Sequence, residues 1–268
     1  MQVVVVDSVT ELTSRSRDEV AVTGSHGGEF SGRAALAARV RGVVFSDAGG
    51  GRDQAGVSAL AFLAGQGVAA AAVAADSARI GDGHDVWRSG IVSARNEVAA
   101  ALGVEPGMTC REAAEQLTRN PVPTEHTADP PTEARTLVAD GRVRVWAVDS
   151  ASLAGPRDDG AVLVTGSHGG LPGGDPARAL NCVPVLAAFN DAGVGKDDAG
   201  IGRLAPLDDR GVAAVTVSAA SARIGDGVST WEDGVISHVN AAAARLGATE
   251  GTRLRELVDR LLREGIDR

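Results

Sequence analysis

Tyrosine is absent from these 268 residues, only four phenylalanines and three tryptophans occur, and Lys196 is the single lysine among 26 basic residues. So few aromatic rings leave no platform on which nucleic-acid bases could stack. The basic residues are outnumbered by 35 acids, giving a net charge of −9. That balance argues against surfaces for phosphate backbones or anionic membranes, which need clustered cations. Arginine in place of lysine points to a GC-rich coding bias. Cysteine is almost missing too: Cys110 and Cys182 stand alone. A disulfide framework or thiolate metal site is therefore not expected, and a reducing cytoplasm is. The apolar run Val3–Val6 stops at Asp7, too short for the core of an export signal. Also missing are a Gly-x-Gly-x-x-Gly after the first strand, a Walker lysine loop, a His-Glu-x-x-His pair and the Gly-x-Ser-x-Gly elbow.

What the chain does have, it has twice. Thr23-Gly24-Ser25-His26-Gly27-Gly28 recurs as Thr165-Gly166-Ser167-His168-Gly169-Gly170, and Ser77-Ala78-Arg79-Ile80-Gly81-Asp82-Gly83 as Ser221-Ala222-Arg223-Ile224-Gly225-Asp226-Gly227. Between them, Asp47-Ala48-Gly49 answers Asp191-Ala192-Gly193, and Asp53 with Gly56 answers Asp197 with Gly200. The offset is 142 at the histidines (168 − 26) and 144 from Asp47 onward (191 − 47), and Trp87/Trp231, Asn96/Asn240 and Gly103/Gly247 keep that register. A period this long is no solenoid repeat. The expectation is a tandem duplication, with a first domain over 1–117, a Pro-rich linker over 118–141 and a second domain over 142–268.

Short Val- and Ala-rich runs alternate with helical stretches in both copies. The runs are Gln2–Val6, Val20–Thr23, Gly42–Phe45 and Val68–Ala74, then Val143–Val148, Ala161–Thr165, Val183–Phe189 and Val212–Val217. Continuous apolar strands of this kind belong to a mostly parallel sheet covered on both faces. The expected fold class is α/β: two copies of a mostly parallel, Rossmann-like three-layer domain related by a pseudo-two-fold. Asp175-Pro176 reads as a helix start, Ser229 with Glu232 as a capping box, and Trp231, Val235, Val239, Ala242 and Leu246 as one face of a single helix closed by Gly247.

The shared motifs fall at the carboxyl ends of predicted strands, the edge where open α/β sheets bind ligands. His26 and His168 are the leading catalytic candidates, as general bases or as metal ligands through neutral imidazole. Ser25 and Ser167 are candidate nucleophiles, each requiring the histidine of the opposite copy as its base. Asp47 and Asp191 could orient a histidine or a water, and Asp53 and Asp197 share their glycine-rich loops. Arg79 and Arg223, with Asp82 and Asp226, suit a substrate carboxylate or an oxyanion. Lys196 and Asn190, present in copy two only, are further substrate contacts. Each residue has a plainer structural role open to it: bracing turns, capping helices, or closing an internal Arg–Asp pair. Ser93/Ser237 and Asn96/Asn240 read as one helical turn apart.

Polar exchanges near the motifs favour one composite cleft between the copies over two independent sites. The expectation is a small-molecule enzyme, a hydrolase of amide, lactam or ester bonds or a lyase, acting on a carboxylate- or amide-bearing metabolite. It carries no cofactor, or a divalent metal on His26, His168, Asp47 and Asp191. Neither nucleic acid nor membrane is an expected partner, and a homo-oligomer is compatible. The alternative is a non-catalytic small-molecule binding or sensor protein.

Overall fold

The computed structural model describes residues 3–121 and 131–265; Gln2, Pro123, His126 and Pro130 lie outside them. Two mixed, mostly parallel α/β sheets are present. The first takes β1 (Val3–Val6), β2 (Val20–His26), β3 (Gly42–Ser46), β4 (Ala69–Val73) and β5 (Val92–Arg95) in sequential order. β1 to β4 run parallel, and β5 returns antiparallel to β4. Helices α1 (Glu29–Ala37), α2 (Ala59–Ala64), α3 (Gly83–Ser89), α4 (Glu97–Ala101) and α5 (Cys110–Leu117) lie between and after these strands.

The second sheet holds β6 (Arg135–Ala139), β7 (Val145–Val148), β8 (Val162–His168), β9 (Leu186–Asn190), β10 (Ala213–Val217) and β11 (Ile236–Val239) in the order β11-β10-β9-β8-β7-β6. Helices α6 (Leu204–Asp209), α7 (Gly227–Asp233), α8 (Ala241–Arg245) and α9 (Leu254–Glu264) accompany it. No helix among the described residues is long and apolar enough to cross a membrane.

Strand side chains alternate between two apolar cores, as the period of a pleated strand demands. In the first sheet Val20, Val22, Val44, Ala69 and Ala71 pack with Cys110, Ala113 and Leu117 of α5. Ala21, Val43, Phe45 and Ala70 face the other way, onto Leu36 of α1 and Leu63 of α2. The second sheet divides likewise, with Val162, Val164 and Leu186 against α9 and Leu163, Ala187 and Phe189 against α6.

Several expectations differ from the structure. Arg135–Ala139, inside the stretch read as a linker, forms the antiparallel edge strand β6, with Leu137 registered opposite Trp146. The single helix expected over 231–246 is α7, then β11, then α8. Gly234 ends α7 with extended backbone, β-branched Val235, Ile236 and Val239 favour a strand, and the Asn240 side chain restarts a helix by accepting the Ala243 N–H at 2.9 Å. Ser93 and Ser237 accordingly sit on β5 and β11, while Asn96 and Asn240 cap α4 and α8. The cap of α7 is Asp226, accepting from the Ser229 N–H at 2.7 Å, so Ser229 is not a cap. Asp175-Pro176 opens only a single 3₁₀ turn, Pro176–Arg178. Gly247, at φ +77°, closes α8 as expected.

The two halves meet through the carboxyl ends of their strands. The Arg52 N–H donates to the Ala219 carbonyl (2.8 Å) and the Lys196 N–H to the Ala75 carbonyl (2.9 Å), while Ala48, Ile80, Ala192 and Ile224 form a shared apolar cluster. The Asp47–Gly56 loop turns back tightly, with Ala48, Asp53 and Gln54 at positive φ. A Cβ on Gly56 would overlap the Asp47 carbonyl, and one on Gly200 the Asp191 carbonyl. Only glycine closes either loop.

Candidate functional site

β2 and β8 deliver His26 and His168 to one cavity of about 280 Å³ between the halves. Each imidazole packs over the glycine of the opposite half's Ser-Ala-Arg-Ile-Gly-Asp-Gly loop. A Cβ on Gly225 would stand 3.1 Å from His26 Cε1, and one on Gly81 3.2 Å from His168 Cε1. Each Nδ1 accepts the backbone N–H two residues on, from Gly28 and from Gly170, both at 3.1 Å. A neutral ring that accepts at Nδ1 carries its proton on Nε2. Neither Nε2 has a hydrogen-bond partner among the described residues.

Both rings are held neutral. Burial lowers His26 to about 4. Burial, then the Arg203 charge and the nearness of His26, hold His168 well below the ordinary histidine value. The expected general base would need a free lone pair, whereas here Nδ1 accepts a backbone N–H and a neutral ring protonated at Nε2 presents a donor to the cavity. A ring in that form can polarise an acceptor oxygen.

Ser25 and Ser167 line the same cavity, yet neither pairs with a histidine. Ser25 Oγ accepts the Val9 N–H and Ser167 Oγ the Ala151 N–H, both at 2.9 Å. Each hydroxyl ties the turn after the first strand of its half, and neither donates to a partner among the described residues.

The expected aspartates lie outside the cavity lining. Asp47 Oδ1 accepts the Gly49 and Ala75 N–H groups at 2.9 Å and Oδ2 the Ser93 hydroxyl at 2.7 Å. Asp191 Oδ1 accepts from Gly193 (3.0 Å) and Ala219 (2.8 Å). They brace their own loops, as carboxylates beside glycines do. The metal set His26, His168, Asp47 and Asp191 is therefore not assembled, and no group of three metal-ligating side chains occurs among the described residues.

Arg79 and Arg223 are likewise structural. Arg79 bonds Asp82 (3.0 Å) in its own half and Asp197 (3.1 Å) in the other; Arg223 bonds Asp226 (3.3 Å) and, across the junction, Asp53 (3.1 Å). Hydrogen bonds to Asp82 and Asp53 respectively lead the effects that raise these guanidinium pKa values. Neither arginine lines the cavity. Lys196 is an interface residue too, its Nζ 3.0 Å from the buried carboxylate of Asp85. Asn190 donates to the Ala222 carbonyl (3.0 Å) and accepts the Ala192 N–H (2.9 Å), fully buried.

The cavity takes several lining residues from outside the six-residue motifs: Asp7, Ser8, Glu133, Asp149, Ser150, Arg178 and Arg203. Asp7 accepts the Gly83 N–H and Asp149 the Gly227 N–H, clasping the start of α3 and of α7. Burial raises the Glu133 carboxyl, and the Ser150 and Ser152 hydroxyls only partly offset this. Asp7-Ser8 and Asp149-Ser150 were visible as a repeated pair in the sequence. Arg203 was not, although it stands where the 144-residue offset puts Ala59 in the first copy (203 − 144), a substitution that could have flagged it. Comparison with protein-family models, curated proteins and solved structures gives no match to this chain.

Proposed function

We propose that the chain is a tandem duplication of an α/β domain, with halves at 1–117 and 142–268, and that the cavity at their junction is the site of a small-molecule enzyme. The reaction class is hydrolysis of an amide, lactam or ester bond, or a related lyase step, on a polar metabolite. One observation carries this reading: equivalent histidines from both halves line a single cavity, each with an Nε2 that has no partner among the described residues. In hydrolysis the two Nε2–H groups would polarise the scissile carbonyl. Water would add to its carbon, its proton would pass to a cavity carboxylate, and that carboxyl would return the proton to the departing nitrogen or oxygen as the C–N or C–O bond breaks. Glu133, raised by burial, is the carboxylate best matched to that transfer.

A second reading, a non-catalytic binding or sensor protein, draws on a different observation. No carboxylate among the described residues orients either imidazole, and both serine Oγ atoms accept backbone N–H groups. Turnover of a panel of small amides, lactams and esters separates the two. His26→Asn and His168→Asn keep an acceptor for Gly28 and Gly170 but remove the Nε2–H. An enzyme would lose rate by about 100-fold or more, as when an oxyanion donor is deleted, while still binding. Ligands that bind and never turn over, in the intact protein, would leave only the sensor.

A further inference from the structure

Arg203 is a buried cation with no anion beside it among the described residues. Its residue is 5% exposed, and no carboxylate among the described residues lies within ion-pair distance. Its bonds go instead to neutral carbonyls: Nε donates to His168 (3.3 Å) and Gly170 (3.0 Å), and Nη1 to Arg178 (3.3 Å) and to Ala179. Nη2 has no hydrogen-bond partner among these residues, while the guanidinium lies 5.2 Å over the Phe189 ring. The neighbouring charge is of the same sign, from Arg178, and burial together with that neighbour lowers Arg203 to about 10. Buried charges are ordinarily paired, because an unpaired one is costly to remove from water.

The acids on the cavity wall do not supply the missing partner. Asp7 is engaged by the Gly83 N–H (3.1 Å) and by Arg178 (3.3 Å). Asp149 accepts from Gly227 (3.2 Å) and Ala134 (2.7 Å), and Glu133 takes the Ser152 hydroxyl (3.2 Å). Arg203 lines the cavity together with His168, whose backbone carbonyl it holds.

We infer that the cavity ligand carries a carboxylate, and that Arg203 is the residue that binds it, beside the Nε2–H of His168. This deepens the reading above and rests on it: the carboxylate end is held by the second half, and the rest of the molecule lies toward His26, Asp7 and Asp149. The duplicated arginines Arg79 and Arg223, expected to hold such a group, are spent on the domain junction. The carboxylate site is asymmetric, since the first half has Ala59 at the corresponding position.

The test is a titration of the full chain with acetate, its neutral isostere acetamide, and inorganic phosphate, followed through the His26 and His168 Cε1–H signals in NMR spectra. Acetate should shift both signals saturably, with an affinity about tenfold or more above that of acetamide. Arg203→Lys should keep that preference and Arg203→Gln abolish it. Should Arg203→Gln fail to fold, the acetate–acetamide contrast in the unaltered protein still decides. Acetamide matching acetate at these signals, or Arg203→Gln retaining the preference, would overturn the inference and leave the cavity as the site. Phosphate binding more tightly than acetate would overturn the carboxylate. A saturable response of neither histidine to any probe would overturn the cavity reading and the inference with it.

Discussion

Asp85 and Lys196 are joined across the junction, and the cost of parting them follows from what each would lose. The Asp85 carboxylate is buried, accepts the Arg79 N–H at 2.9 Å, receives Lys196 Nζ at 3.0 Å and the Ser89 hydroxyl at 3.3 Å. Asp85→Ala would strand the Arg79 N–H, worth about 1–3 kcal/mol for a buried donor. It would also unpair Lys196, whose side chain is 27% exposed, so that loss is discounted to about 1 kcal/mol. The total is about 2–4 kcal/mol, or roughly 10 °C in melting temperature for a chain of this size.

The second half shows how to restore it. There Ser229 Oγ accepts the Arg223 N–H (3.0 Å), and the acid sits one helical turn later at Asp233, reached by Arg52 at 2.9 Å. Asp85→Ser alone keeps an acceptor for Arg79 and should cost only about 1 kcal/mol, the pair itself. The triple variant Asp85→Ser, Ser89→Asp, Lys196→Arg rebuilds the other half's arrangement and should recover most of that. Urea unfolding midpoints measure the series. A triple variant no more stable than Asp85→Ser, or an Asp85→Ala variant indistinguishable from the intact protein, would refute the reasoning. The pH dependence adds a check. Burial alone would raise Asp85, but the Arg79 N–H and the Lys196 and Arg79 charges hold it below the ordinary aspartate value. Its contribution is then present above the unfolded-state value and lost as pH falls through the folded one. Asp85→Ser should remove that part of the acid-side decline.

Stability should also fall as pH drops from the ordinary histidine value toward 4, because protonation of His26 favours the unfolded chain; in His26→Asn this limb of a pH-stability curve should flatten. Val194 is β-branched yet held at φ +63°, where the first half has Gly50. Val194→Gly should raise the melting midpoint, by about 1 kcal/mol of relieved strain. Gly200→Ala should cost several times more than Gly67→Ala, since only the former places its Cβ on a backbone carbonyl. Cys110 and Cys182, whose thiols burial raises to about 12 and about 11, should resist alkylation by iodoacetamide at mild alkaline pH until the protein unfolds. Rapid labelling of the native chain would contradict their burial.

The strands were legible because their apolar runs are continuous: β2, β3, β4, β8, β9 and β10 each have both ends within about three residues of an expected run. β11 was hidden because Val235 to Leu246 satisfies a helical period by coincidence, and its breaks depend on Gly234 and Asn240 rather than on hydrophobicity. At the site, His26, His168, Ser25 and Ser167 could be found as repeated letters. Repetition could not tell a cavity wall from a junction, since Arg79, Arg223, Asp47 and Asp191 recur just as faithfully in order to brace the structure. Lys196, read as a substrate contact, is instead the partner of Asp85 across the junction; in the other half the acid sits one turn along the helix, at Asp233, and the reaching cation is Arg52. Arg203, Arg178 and Glu133 lie outside the repeated letters, so their meeting depends on how the chain folds.

Two neutral imidazoles, one from each half, sharing a water-accessible hollow with their protons on Nε2, are what the functional reading stands on. A ¹⁵N-imidazole NMR pH titration tests this directly. The expected spectrum has His26 and His168 in the Nε2–H form, still uncharged well below the ordinary histidine value of about 6.5, with His26 titrating near 4. Two rings that take up protons independently at the value of exposed histidine, or that carry the neutral proton on Nδ1, would contradict it.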